Sequence, residues 1–266
     1  MSRWTCRSGL GAPGTTRPIE AEDYRRREAK GEGTAYMDLL LIRHAQSQNN
    51  LVWAQTGASV GRVPDPRLTP LGERQAAAVA HALARGRYAA PPTVLYASLM
   101  SRAILTAAPI AAALDLDLHG HPELFEVGGP LDWSGHEDVP RRAHPGAGRT
   151  ALTQLSSRLK LPHDAGDDGW WNGPVEPDAG AAERACRVLD GILERHGGTD
   201  AVVGVVSHGH FSQFLVRALL GIPTMTGWVD ILNTSVSRFS DVDVPGRTAA
   251  AWINRVEHLL PDEVSD

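Results

Sequence analysis

The chain has 266 residues and is 42% hydrophobic, enough to bury one full α/β core. Its formal net charge of −5 excludes the broad basic field that draws nucleic acid or anionic membranes, so an anionic substrate must be met by a local group of arginines. Cys6 and Cys186 lack metal-type spacing, no stretch has the apolar length of a membrane span, and the N-terminus lacks the apolar core of a secretory signal. The expectation is a cytoplasmic protein with free thiols and with neither a nucleic-acid nor a membrane partner.

Residues 1–36 are polar, rich in Gly, Arg and Glu, and show no sustained periodicity. They read as a disordered tail outside a domain spanning 37–266. Met37 stands immediately before the first strand pattern, the apolar run Leu39–Ile42, which ends in Arg43-His44. A polar loop continues through Pro64-Asp65-Pro66-Arg67. Thr69-Pro70 then supplies an N-cap and a first-turn proline for a helix reaching about Leu83. Thr93–Ala97 is a second buried strand, and a helix carrying Arg102, Ile104 and Leu105 runs from Ser98 to Leu114.

From about 128 to 180 the pattern breaks into Gly, Pro, His and Asp, with one helical patch near Leu152–Leu159 and the pair Trp170-Trp171. A stretch this long with little regular structure reads as a cap or insert, and the tryptophans as a core plug beneath it. Order resumes with the amphipathic helix Ala182–His196, stopped by Gly197-Gly198, then the strand Ala201–Val206 and the helix Phe211–Leu220. Ser235–Phe239 and Ala250–Val256 read as closing strands, for which an antiparallel course is one option. This alternation predicts a three-layer α/β sandwich with a mostly parallel central sheet flanked by helices.

Two of these strand patterns deliver a histidine at the carboxyl end, His44 after Leu39–Ile42 and His208 after Val205-Val206-Ser207. Ligand sites in open α/β sheets form outside the carboxyl ends of the strands, so both imidazoles can meet over one pocket. A neutral imidazole is a nucleophile, and the neighbouring Arg43 guanidinium is a planar phosphate clamp. The pairing points to phosphoryl chemistry.

Arg43-His44-Ala45-Gln46-Ser47 resembles the Arg-His-Gly-Glu-Thr/Ser signature of the histidine phosphatase superfamily, the phosphoglycerate mutase-like enzymes. Leu68-Thr69-Pro70-Leu71-Gly72-Glu73-Arg74-Gln75-Ala76 is similar to the family's Leu-Thr-x-x-Gly-x-x-Gln-Ala segment. Ser98 through Arg102-Ala103 to Thr106-Ala107, and Val206-Ser207-His208-Gly209, resemble two further family segments. The resemblance implies that His44 attacks phosphorus to give a phosphohistidine. It also implies that Arg43, Arg102, His208, the Gly209 amide and Asn50 hold the phosphoryl oxygens, with no metal and no cofactor. Glu126, in Leu124-Phe125-Glu126, is the implied general acid, with Glu123 as the alternative. Asp132-Trp133-Ser134-Gly135 departs from the family's Gly-x-Trp-Glu-Gly in spacing and carries Ser for Glu, while Ala45 and Gln46 stand for the commoner Gly and Glu.

The activity this implies is that of a phosphatase acting on a small phosphorylated metabolite, with the oligomeric state left open. A mutase is the nearest alternative, but the Trp-Tyr-Asp stretch of mutases is replaced here by Ala54-Gln55-Thr56-Gly57-Ala58. A phospho-ligand binder without turnover is the other, and the presence of both His44 and His208 argues against it. His119-Gly120-His121 and His208-Gly209-His210 lack carboxylate or cysteine partners at ligand spacing, so a metal site is not expected.

Overall fold

The computed structural model describes residues 36–132, 142–244 and 246–266. The residues 1–36 assigned to a tail, apart from Tyr36, lie outside the described residues, as do Cys6 and the Trp133–Gly135 part of the divergent motif. Strand β1 (Asp38–Arg43) is followed by helices α1 (Gln48–Thr56) and α2 (Pro70–Ala84), strand β2 (Val94–Ser98), helix α3 (Ser101–Leu114) and strand β3 (Leu118–His121). A small hairpin of β4 (Leu131–Asp132) and β5 (Arg142–Ala143) comes next, then α4 (Arg149–Thr153) and β6 (Leu159–Lys160). The chain closes with α5 (Asp178–His196), β7 (Val202–Ser207), α6 (Gly209–Leu219), β8 (Val236–Ser240) and β9 (Ala249–Arg255).

The main sheet has the order β6-β3-β2-β7-β1-β8-β9. From β6 to β1 every pairing is parallel, and β8 and β9 close the edge antiparallel. Side chains alternate across a strand, and β1 is apolar on both sides because both its faces are covered. Leu40 and Ile42 pack with Val79 and Leu83 of α2 and Ile104 and Ile110 of α3 on one face. Leu39 and Leu41 pack with Val188 and Ile192 of α5 and Phe211 and Leu215 of α6 on the other. Helix α5 buries Ala181, Arg184, Ala185, Val188, Leu189 and Ile192, the three-and-four spacing of one helical face. The expected mostly parallel sheet between two helical layers is the fold observed.

The differences from expectation have local causes. Helix α1 falls within what reads as a polar loop because it buries none of its residues and so carries no apolar stripe. Its start is set by polar contacts: Ser47 and Asn50 form a reciprocal capping box. Strand β3 was concealed by its polar sequence, Leu-His-Gly-His. The 128–180 segment is less irregular than expected, since β6 joins the sheet beside β3 and Leu152 enters the core. Trp171 lies 4.6 Å from Phe125, centroid to centroid, and Trp170 packs on the core, in keeping with a plug. The free thiol expected at Cys186 is corrected: its sulfur is in a disulfide. Among the described residues no helix is long and apolar enough to cross a membrane.

Helix α2 starts as Thr69-Pro70 predicts, with the Thr69 hydroxyl accepting the Gly72 amide at 3.0 Å. Gly72 is required by close approach: a Cβ there would lie 2.1 Å from the Gln46 carbonyl oxygen. Gln46 follows directly on the strand-end residues, so the glycine lets α2 press against the loop leaving β1. Gly72→Ala is expected to lower unfolding free energy by about 1–3 kcal/mol, the usual range for overpacking. Urea denaturation measures this, and a variant as stable as the parent would show that the loop yields freely.

Candidate active site

Parallel pairing of β1 with β7 sets Arg43 opposite Ser207, so the next residue of each strand leaves the sheet at the same edge. His44 donates its backbone N–H to the Ser207 carbonyl at 2.9 Å. The two imidazole centroids stand 5.1 Å apart. The His44 carbonyl accepts from the Asn233 side-chain amide at 3.0 Å, and the Ala45 amide donates to the Thr106 hydroxyl at 2.9 Å, which fastens the histidine's backbone from both sides.

A hydrogen bond assigns the proton on the His44 ring. His44 Nδ1 faces the Ala45 carbonyl at 2.7 Å and must donate, which leaves the Nε2 lone pair bare. That lone pair accepts from Arg102 Nε at 3.1 Å. His208 Nε2 lies 2.9 Å from the Ser98 hydroxyl, whose oxygen already accepts the Met100 amide at 3.2 Å. A hydroxyl has one hydrogen and two lone pairs, so this contact fits either tautomer of His208. Nδ1 has no partner among the described residues, and neither does Arg43 Nε; both are buried. A buried guanidinium N–H left unmatched beside a ring nitrogen is suited to an incoming acceptor.

A cavity of about 280 Å³ opens over His44, lined by Arg43, Asn50, Arg102 and Glu126 among the expected residues. His208 and Gly209 stand behind the wall instead, with Gly209 so close to Arg43 that a Cβ would lie 3.3 Å from the guanidinium carbon. Asn50 turns its carbonyl oxygen to Ser47, accepting the backbone N–H at 3.0 Å and the hydroxyl at 2.7 Å, which directs its NH₂ outward. Glu126 is held at the start of α6. Its Oε1 accepts the Val127 and Phe211 amides at 2.9 and 2.8 Å, and Oε2 accepts, among the described residues, only the His210 amide, at 3.2 Å. Glu123 points elsewhere, to Arg187 at 2.8 Å, and does not line the cavity.

Several contributors carry no motif in the sequence. Arg184 is fully buried between the rings of Phe125 and Phe211, with its guanidinium carbon 3.5 and 3.7 Å from their centroids. It donates to the carbonyls of Glu123 and Phe125 at 2.6 and 2.9 Å and pairs with Glu176 at 2.5 Å, gripping the segment that presents Glu126. Asp266 also lines the cavity, and its carboxylate accepts from Arg43 at 2.7 Å. Amphipathic period alone would mark Arg184 as a core position of α5, but only the long-range pairing reveals its partners.

Burial, followed by the charges of Arg102 and Arg43, holds the His44 pKa well below the ordinary value of 6.5. Burial, then Arg102 and the neighbouring His44, does the same for His208. Both rings are therefore neutral near pH 7. On unfolding each regains an ordinary affinity for protons, so below pH 6.5 the unfolded chain binds more protons than the folded one. Stability present above that pH is lost as pH falls; His258, pushed down to about 4 chiefly by burial, acts with the same sign. Urea-unfolding free energy is expected to decline from pH 7 to 5, and His44→Gln to flatten the decline; an unaltered slope would contradict the neutral assignment. Asp266→Asn should tighten binding of inorganic phosphate, because the carboxylate competes for Arg43; isothermal calorimetry reads this, and unchanged affinity would discount the competition.

Comparison with known proteins gives a consistent placement. The model of the histidine phosphatase superfamily (branch 1) matches residues 39–252. Phosphoserine phosphatase 1 of Hydrogenobacter thermophilus is 29% identical over 192 residues, covering 71% of this chain and 79% of that protein. An uncharacterized protein of Mycobacterium tuberculosis is 33% identical over 168 residues, covering 63% of this chain and 71% of its own. Among solved structures, a mutant phosphoserine phosphatase of Entamoeba histolytica in complex with phosphoserine superposes with a TM-score of 0.55 at 24% identity, over 84% of this chain and all 100% of the other. A mycobacterial glucosyl-3-phosphoglycerate phosphatase gives a TM-score of 0.53 at 22% identity, over 82% of this chain and 99% of that one. At these identities the two structures speak for the fold, while the family match extends across the sheet and every strand-end residue described above. The chain belongs to the histidine phosphatase superfamily, branch 1.

Proposed function

We propose that this protein hydrolyses a small phosphomonoester through a phosphohistidine on His44. The observation that carries the reading is the state of the His44 ring: proton on Nδ1, lone pair on Nε2, and a guanidinium against that lone pair. Relatives described as phosphoserine and glucosyl-3-phosphoglycerate phosphatases support a phosphatase.

With a phosphoryl group seated over Nε2, Arg102 Nε–H turns from the lone pair to an equatorial oxygen. Arg43 Nε–H, unmatched among the described residues, takes a second oxygen, with the Asn50 amide at the cavity wall, and His208 backs the His44 ring from behind the wall. Positioning and charge stabilisation of this kind supply most of the catalysis in phosphoryl transfer. Nε2 forms a bond to phosphorus as the bond to the alcohol oxygen breaks, and Glu126 delivers a proton to that oxygen. Water then attacks the phosphohistidine, gives a proton back to Glu126, and returns His44 to its starting state. Oε2 is the oxygen for this task, since Oε1 is occupied by two amides.

Rapid quench with a labelled aryl phosphate should trap label on His44, and His44→Ala should abolish both trapping and turnover. Retention of even a tenth of the activity in His44→Ala would remove it as nucleophile. Glu126→Gln should slow turnover of an alkyl phosphate by roughly two to four orders of magnitude, the usual range for a positioned acid–base. The phosphorylation step with nitrophenyl phosphate, whose leaving group departs without a proton, should change far less. Equal slowing of that step for both substrates would take Glu126 out of the acid role.

A further inference from the structure

The segment between α6 and β8 holds the end of β1. Thr234 donates its amide to the carbonyls of Arg43 and His44, at 3.1 and 3.4 Å, and the Arg43 amide returns to the Ser235 carbonyl at 3.3 Å. Asn233 adds its side-chain amide to the His44 carbonyl. It is turned that way because its Oδ1 accepts the Ser265 hydroxyl at 2.9 Å. Two consecutive residues, Asn233 and Thr234, both fully buried, therefore fix the backbone that carries the His44 ring.

Thr234 does this in a conformation that its own side chain opposes. Its φ is +57°, in the left-handed region, where a β-branched residue is crowded and glycine is the ordinary occupant. Such a backbone persists only where surrounding contacts over-determine it. Here a short relay of side chains does so. The Thr234 hydroxyl lies 2.7 Å from the Asn233 carbonyl and 3.0 Å from His258 Nε2. A carbonyl only accepts, so the single hydroxyl hydrogen goes to it, and His258 must donate from Nε2 to the hydroxyl oxygen. Its Nδ1 is then a bare lone pair, which takes the Tyr88 hydroxyl at 2.6 Å, while the Tyr88 oxygen accepts the His258 amide at 3.1 Å. Tyr88 is itself buried, and its ring meets the imidazole edge to face with centroids 5.7 Å apart. Tyr88 follows α2 and His258 follows β9, and neither they nor Thr234 line the cavity. A relay with every polar atom matched thus ends on the one strained residue that grips the β1 terminus.

We propose that His258 is a positioning residue for phosphoryl transfer: by latching the Thr234 hydroxyl it keeps Thr234 left-handed, and Thr234 in turn aims His44 at phosphorus. This rests on the phosphatase reading above, because it takes His44 as the nucleophile. His258 does not touch substrate. Its effect falls on the direction of the attacking nitrogen, whereas the charges that bind phosphate belong to Arg43 and Arg102.

The test is rapid-quench measurement of phosphohistidine formation at saturating nitrophenyl phosphate, beside calorimetric binding of inorganic phosphate. His258→Leu removes the donor, and Thr234→Val removes the hydroxyl while keeping the crowded side chain. Each should slow phosphorylation by about 10- to 100-fold, the scale of a small misplacement of reacting atoms, with phosphate affinity within about threefold of wild type. The double variant should be no slower than the slower single one, since both remove the same contact. His258→Gln, whose side-chain amide donates in place of Nε2, should recover most of the rate. Thr234→Gly should be faster than Thr234→Val, because glycine adopts the left-handed backbone unaided, whereas a role in packing alone would rank them the other way. The proposal is overturned by wild-type rates in His258→Leu and Thr234→Val, by additive effects in the double variant, by glycine slower than valine, or by phosphate affinity falling as far as the rate. If His258→Leu does not fold, the ranking at position 234 decides. Failure of the parent reading looks different: the wild-type protein itself then forms no phosphohistidine, which removes both.

Discussion

Everything at the site depends on the parallel pairing of β1 with β7. Because Arg43 lies opposite Ser207, His44 and His208 leave the sheet together, and the His44 amide bonds to the last carbonyl of the neighbouring strand. A one-residue slip would turn every side chain of β1 to the opposite face and separate the two rings. The register is protected by burial on both faces, since Leu40 and Ile42 belong to one core and Leu39 and Leu41 to the other. The same hydrophobic packing that stabilises the sheet thereby fixes the distance between the histidines.

The second constraint is electrostatic. Two buried histidines beside two arginines are tolerable only while the rings stay neutral, and neutrality is what the proposed nucleophile requires. The carbonyl of Ala45 chooses which nitrogen of the His44 ring holds its proton, and the hydroxyl of Ser98 anchors the His208 ring. Stability and reactivity are served by one arrangement, in which protonation is disfavoured by burial first and by the guanidinium charges second.

Glu126 is positioned from a distance. Ser207 donates its hydroxyl to the Leu124 carbonyl at 3.0 Å, and Arg184 grips the carbonyls of Glu123 and Phe125 while pairing with Glu176. Residues from β7, α5 and the 128–180 segment thus converge on a single short stretch. Burying an ion pair is expensive unless its hydrogen bonds are satisfied, and here four donor contacts and two aromatic faces surround the guanidinium. The 128–180 segment is joined to the site through Glu176.

The sequence by itself determined the layers of the fold and the chemistry at the strand ends. Unbroken apolar runs mark buried parallel strands, and the Arg43-His44, Arg102 and Ser207-His208 contexts declare themselves because backbone position and side-chain identity coincide there. Only the tertiary structure decided the rest. Helix α1 and strand β3 have no periodic apolar signal, since caps and sheet neighbours hold them in place of a hydrophobic face. Glu126 is separated from Glu123 by which backbone amides and which arginine each reaches, a matter of direction that local sequence does not encode. Arg184 and Asp266 resemble ordinary charged residues in the sequence, because the groups that position them, Glu176 with the Glu123 and Phe125 carbonyls for one and Arg43 for the other, lie outside their own elements.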